Sequence, residues 1–322
     1  MTNTPSNQGI EVVTVTLNPA IDRTVTISNF EAGKVNRVED SQSDPGGKGV
    51  NVASFLADYG HRVAVTGFLG RGNAELFESL FERKGIQDCF VRIAGETRVG
   101  IKIADPVQRR TTDINFPGQA PAPADVDALF RQLERLEGKW FVLAGSIPRG
   151  LDTTIYRDLV QTLKAQGLKV VLDTSEEGLH HAVEALPQVI KPNIHELEAL
   201  VGKPLETQAA IVQAAQTLLE RGIQLVAVSM GRDGALFVTE QSVVAARPPS
   251  IDAKSTVGAG DAMVAGIVAG QLRDAPLPTC ARLGTAFAVD AISHIGSGLS
   301  SAEIIEAYMR QVAIEERSRE VG

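Results

Sequence analysis

The chain has 322 residues, 43% of them hydrophobic and 22% charged, with a formal net charge of −8; this composition supports a large buried core and excludes disorder except at the ends. The acidic balance argues against a nucleic-acid partner, whose phosphates call for a positive field. Cys89 and Cys280 are too few for a disulfide framework and too far apart for a metal knuckle, and the start, Met1 to Glu11, lacks the regions of an export signal. Nor does any stretch reach the roughly 18 apolar residues of a membrane span, so the expectation is a cytoplasmic protein with no membrane partner.

In chain order, short apolar β-branched runs at Val12–Leu17, Val63–Phe68, Trp140–Ala144, Lys169–Asp173, Val189–Lys191 and Leu225–Ser229 read as strands. Stretches of helical period follow them: Val50–Tyr59, Asn73–Lys84, Thr153–Gln166, Ile194–Val201, Gln208–Arg221, Asp261–Leu272 and Pro278–Ile292, with a charged final helix over Ala302–Arg319. Strands without polar alternation, separated by helices, predict an α/β fold whose mostly parallel central sheet is covered on both faces. Ligands in such sheets gather at the carboxyl ends of the strands. Two regions depart from the pattern, about 24–44 and 96–116, where Val25–Ile27, Val99–Ile103 and Thr112–Phe116 alternate without an intervening helix. These predict a small antiparallel lid on one domain spanning 1–322, with 1–10 as a flexible tail.

Several strand ends carry chemistry-bearing residues. Thr16-Leu17-Asn18-Pro19-Ala20-Ile21-Asp22 ends the first strand in a carboxylate suited to sugar hydroxyls. Pro45-Gly46-Gly47-Lys48-Gly49-Val50-Asn51 allows close backbone approach, with Lys48 and Asn51 as hydrogen-bonding groups; Gln42 and Gly49 stand where a Walker A loop needs glycine and Ser/Thr. Arg98 and Lys102 lie at i and i+4 on a lid strand and share one face. Ser146, in Ala144-Gly145-Ser146-Ile147-Pro148, is not in a nucleophile elbow, which removes the main support for a serine hydrolase. Asn193 and Glu196, in Lys191-Pro192-Asn193-Ile194-His195-Glu196, read either as a helix-capping pair or as oxygen groups near hydrated magnesium. Ser229-Met230-Gly231-Arg232-Asp233-Gly234 reads as a turn over nucleotide phosphates or as a plain hairpin. In Ser255-Thr256-Val257-Gly258-Ala259-Gly260-Asp261, a glycine turn opens a helix and offers N–H groups to an anion. Asp261 beside it reads as a proton acceptor for an alcohol in a kinase-like reaction, or as a simple cap.

The ordered combination of PGGKGVNVA at 45–53 and STVGAGD at 255–261, with TLNPAID, GFLG at 67–70, ETR at 96–98, TDINFPG at 112–118, LAGSIPRG at 143–150 and KPNIHELE at 191–198, resembles the PfkB carbohydrate kinases of the ribokinase-like fold. The resemblance spans roughly Val12 to Ser300. It implies a three-layer fold with a β-sheet lid and ATP and Mg²⁺ as cofactors, with K⁺ a further ion in some members. It implies Asp261 as catalytic base and Gly258, Ala259 and Gly260 as the anion hole. It implies Asp22, Gly46, Gly47, Lys48, Asn51, Arg98 and Ser146 around a sugar phosphate, with Lys191, Asn193, Glu196, Ser229, Gly231, Gly234, Thr256 and Val257 on the MgATP side. Ser255, Val257, Ala291, His294 and Gly296 match the region where some members bind a monovalent cation. Asp113 aligns with an arginine of related 6-phosphofructokinases, which favours fructose 1-phosphate, phosphorylated on its 6-hydroxyl, as the acceptor. Tagatose 6-phosphate or fructose 6-phosphate kinase activity is the alternative within the family; a sugar-phosphate-binding regulator that keeps the fold without the chemistry is the reading from another class, and the intact GAGD segment with Asp261, Asn193 and Glu196 speaks against it. A homodimer formed through the lid is the expected assembly.

Overall fold

The structure of the chain, a computed structural model, describes residues 9–251, 254, 258–294 and 298–318. In chain order the elements are β1 (Val12–Thr16), β2 (Ala20–Thr26), β3 (Asp40–Gly46), α1 (Lys48–Asp58), β4 (Val63–Gly70), α2 (Glu75–Lys84), β5 (Gln87–Asp88), β6 (Val91–Ile93), β7 (Arg98–Asp105) and β8 (Arg110–Ile114). There follow α3 (Pro123–Leu133), β9 (Trp140–Ala144), α4 (Ile155–Ala165), β10 (Lys169–Asp173), α5 (Glu176–Val183), β11 (Val189–Ile190), α6 (Ile194–Val201), α7 (Gln208–Glu220) and β12 (Leu225–Ser229). The chain continues through β13 (Ala235–Val238), β14 (Ser242–Arg247), α8 (Ala259–Leu272), α9 (Leu277–Ser293), α10 (Ala302–Gln311) and β15 (Ala313–Ser318).

Eleven strands form one sheet, ordered β15-β14-β13-β12-β11-β10-β9-β1-β4-β5 with β6 paired to β4. Pairing is parallel from β12 through β5 and antiparallel from β12 to β15. Strand period sends alternate side chains to opposite faces. Val12 accordingly packs with Val50, Phe55 and Phe287 on one face, and Val13 and Val15 with Tyr156, Leu159 and Leu172 on the other. Apolar cores on both faces explain why the central strands read as unbroken hydrophobic runs.

The lid is a second sheet, ordered β3-β2-β7-β8. It is mixed, not antiparallel as expected: β2 pairs with β7 in parallel while β3 and β8 flank them antiparallel. It is anchored at the residues that leave the core, Ala20 facing both Gly46 and Arg98.

The final element corrects the sequence reading. The helix expected over Ala302–Arg319 ends at Gln311; Val312 turns extended and buried, and β15 pairs along β14. The charged run continues past Gln311, but Val312 and Ile314 alternate with solvated residues, and a long-range ladder along β14 takes the place of further helical turns. Helices α3 and α5 are absent from the sequence reading; α5 has only 8 residues, and α3 buries only Leu129 and Leu133.

Candidate active site

Gly258 caps α8 with φ 79° and ψ −5°, a left-handed conformation that a side chain would strain. The first turn then carries only Ala259 and Gly260 ahead of Asp261, leaving N–H groups open at the positive end of the helix. Asp261 is not the cap. Its Oδ2 accepts a hydrogen bond from Asn51 Nδ2 at 2.7 Å, on the facing turn of α1. Burial, then the nearby Asp173 carboxylate, push its pKa up to about 7, against the opposing pull of Asn51, Lys48 and Lys191.

Asp173, at the carboxyl end of β10, is the residue the sequence reading missed. It is 1% exposed, and its Oδ1 lies 3.2 Å from Lys48 Nζ and 3.4 Å from Lys191 Nζ. Its Oδ2 has no hydrogen-bond partner. Burial alone would raise this acid, yet the lysines hold it below the ordinary carboxylate range. Burial likewise opposes the charge on Lys48, but Asp173, Asp261 and Glu196 keep its pKa above the usual lysine value. A Cβ placed on Gly260 would come 3.5 Å from Lys191 Nζ, so this ammonium lies beside the open end of α8. Two lysines against one bridging carboxylate leave a cationic surface beside a helix N-terminus, an arrangement suited to phosphate oxygens.

Asn193 and Glu196 realise the capping alternative: Asn193 Oδ1 accepts from the Glu196 N–H at 2.9 Å, and Glu196 Oε2 from the Asn193 N–H at 2.8 Å. Among the described residues no group of three or more His, Cys, Asp or Glu could hold a metal by itself. The orphaned Asp173 Oδ2, with Glu196 close enough to act on Lys48, fits an ion that keeps most of its waters and takes other oxygens from a phosphate. Asn193 bridges in parallel to Ser229, bringing the ends of β11 and β12 together. Gly231 and Gly234 form the tight turn between β12 and antiparallel β13, which is the hairpin alternative.

A second cluster lies where the lid joins the core. Burial raises the Asp22 pKa, against Lys102 and Arg98, which favour its charge. The carboxylate rests on two glycines: a Cβ would fall 2.5 Å from Asp22 Oδ2 at Gly46 and 3.2 Å from Oδ1 at Gly100. Gly47 and Lys48 continue from Gly46 into α1, which places this cluster next to the one formed by Lys48, Asp173 and Lys191. Burial lowers the Arg98 pKa, and its Nε is buried without a partner. Lys102 faces Asp113 across the β7–β8 ladder, Nζ to Oδ1 being 3.7 Å. Ser146 Oγ accepts from Asn18 Nδ2 at 3.0 Å.

Ser255, Thr256, Val257 and Gly296 lie outside the described residues. Ala291 is buried near the end of α9, and His294, its C-cap, has Nε2 3.4 Å from Asp290 Oδ2. The Lys254 N–H donates to the Ile292 carbonyl at 2.8 Å, so the chain just before the 255–261 motif runs against the end of α9.

The sequence profile described as pfkB family carbohydrate kinase matches residues 10–304. A 1-phosphofructokinase of Rhodobacter capsulatus is 45% identical over 309 residues, covering 95% of this chain and 98% of that one. Among solved structures, a possible 1-phosphofructokinase of Thermotoga maritima superposes with a TM-score of 0.86 at 32% identity, covering 95% of this chain and 99% of that one. Phosphofructokinase-2 of Escherichia coli, in complex with potassium, gives a TM-score of 0.88 at 27% identity and covers 94% of this chain and 98% of that one.

Proposed function

The chain belongs to the pfkB family of carbohydrate kinases, and from that premise we propose that it transfers the γ-phosphoryl group of ATP to the 6-hydroxyl of D-fructose 1-phosphate, giving fructose 1,6-bisphosphate and ADP. The observation that carries the reading is Asp261: a buried carboxylate with a pKa of about 7, held by Asn51 at the open N-terminus of α8 beside Lys48 and Lys191. The sugar hydroxyl oxygen attacks the γ-phosphorus while its proton passes to Asp261, and the bond from phosphorus to the ADP oxygen breaks. Phosphoryl transfer of this kind runs through a loose transition state, so positioning and charge stabilisation outweigh covalent chemistry. The free N–H groups of Gly258–Gly260 and the ammonium groups of Lys48 and Lys191 supply fixed positive charge for the transferring oxygens. Magnesium, when bound near Asp173 and Glu196, neutralises phosphate charge. At the other end, Asp22 accepts from sugar hydroxyls while Arg98, Lys102 and Ser146 hold the substrate phosphate.

Two finer features belong to the same proposal. The potassium complex of the Escherichia coli relative supports a monovalent cation near the α8 N-terminus, on the side where the chain at residue 254 runs against the end of α9. Exposed Val35, Val38, Ile114 and Phe116 on the lid support its pairing with a second copy.

The test is a panel of kcat/KM values for fructose 1-phosphate, fructose 6-phosphate and tagatose 6-phosphate with MgATP, with product identified. The highest value for fructose 1-phosphate is expected; a preference for either 6-phosphate overturns the choice of sugar, and no product from any of the three overturns the kinase reading.

A further inference from the structure

Asn18 belongs to none of the site residues named from the motifs, yet it touches three of the segments that form the sugar end of the site. It stands in the connection between β1 and β2, immediately before Pro19, which restricts it to extended backbone. Its carbonyl accepts from Arg98 Nη2 at 3.3 Å, while Arg98 Nη1 reaches the Phe116 carbonyl at 3.5 Å. Its Nδ2 donates to Ser146 Oγ at 3.0 Å. Its Oδ1 packs against Gly118, where any Cβ would overlap it. The residue thus joins the end of β1, the start of the lid strand β7, the chain leaving the lid at 116–118, and the end of β9.

The direction of the bond to Ser146 has a chemical consequence. A serine hydroxyl offers one proton and two lone pairs. With the amide occupying a lone pair, the hydroxyl proton is left to point at a ligand oxygen.

We propose that the side chain of Asn18 is a positioning group for the sugar-phosphate end of the site, orienting the Ser146 hydroxyl as a donor beside the Arg98 guanidinium that its main-chain carbonyl holds. The proposal rests on reading Arg98 and Ser146 as sugar-phosphate contacts. Asn18→Ala frees the hydroxyl to rotate. Asn18→Asp keeps the volume but replaces the donor by an acceptor, which draws the serine proton inward and adds negative charge near the substrate phosphate.

The experiment is steady-state kinetics of the full chain with D-fructose 1-phosphate and MgATP for Asn18→Ala, Asn18→Asp, Ser146→Ala, Arg98→Ala and the double variant Asn18→Ala/Ser146→Ala. Loss of one oriented hydrogen bond predicts a KM for fructose 1-phosphate raised about tenfold in Asn18→Ala, and further in Asn18→Asp, with KM for ATP within about twofold of wild type. In the Ser146→Ala background, removing Asn18 should add less than about twofold, because the two side chains act as one unit. A fully multiplicative double variant, or parallel rises in both KM values, overturns the positioning role. If Ser146→Ala and Arg98→Ala raise the KM for fructose 1-phosphate while Asn18→Asp leaves it unchanged, the proposal fails and the site reading stands. If Ser146→Ala and Arg98→Ala themselves change nothing, the site reading fails and takes the proposal with it. Should Asn18→Ala not fold, the isosteric Asn18→Asp decides alone, an unchanged KM overturning the proposal.

Discussion

Asn51 Nδ2 lies 2.7 Å from Asp261 Oδ2 although 210 residues separate the two in sequence. The bond ties the first turn of α1 to the first turn of α8, and so joins the two glycine-rich segments into one site. It also fixes which carboxylate oxygen is engaged, leaving the other free to meet a hydroxyl.

Asp261→Asn keeps the shape and an acceptor for Asn51 but cannot take a proton. kcat should fall by about 10² to 10⁴-fold, the usual worth of a positioned base, with little change in the Kd for sugar phosphate. Near-normal kcat would remove Asp261 from the mechanism.

The same variant should be more stable than the parent in alkali. Asp261 titrates at about 7 in the folded chain against 3.8 for an unperturbed aspartate, so the folded state holds the proton that the unfolded state releases. The contribution of this one group to stability is therefore fully present below pH 3.8 and is lost progressively as pH rises to about 7. Thermal unfolding at pH 8 should show Asp261→Asn with the higher Tm, a gain that shrinks toward pH 4; a gain independent of pH would contradict the raised pKa.

Activity should follow the opposite trend. A base must be unprotonated to act, so kcat/KM should climb with pH through an acidic limb centred on about 7 in the free enzyme. A limb centred near 4 would mean that burial does not perturb the group.

Gly260→Val puts a branched side chain toward Lys191 Nζ, from which even the Cβ lies only 3.5 Å away. Turnover should be abolished while sugar-phosphate binding, measured by calorimetry, persists. Undiminished turnover would place the phosphoryl group elsewhere.

Asp113→Arg sets a second cation directly across the ladder from Lys102, in place of a partner 3.7 Å away. The lead of fructose 1-phosphate over fructose 6-phosphate in kcat/KM should narrow, since an arginine offers a bidentate grip where the carboxylate repels phosphate. An unchanged ratio would detach Asp113 from substrate choice.

The central sheet was legible because its strands are buried on both faces, and Asp261 because glycines marked the turn before it. Asp173 was not: it closes the run Lys169–Asp173 with no motif around it, and only folding brings Lys48 and Lys191 to its carboxylate. A lone acid at the carboxyl end of a buried strand was the available signal. Asn18 was hidden for a related reason, since its partners Arg98 and Ser146 come from distant segments. The lid's parallel β2–β7 pairing also escaped, because alternation announces a half-exposed strand and says nothing of its direction.

β15 closes the outer side of β14, whose Val243, Val244, Ala245 and Ala246 are buried. Three helices, α8, α9 and α10, separate the two strands in the chain. During synthesis the ribosome therefore releases an apolar strand whose rim of N–H and C=O groups stays uncovered while all three helices emerge. For that interval the nascent chain presents a template for intermolecular pairing, which makes this rim the place where chaperone attention and co-translational aggregation should concentrate.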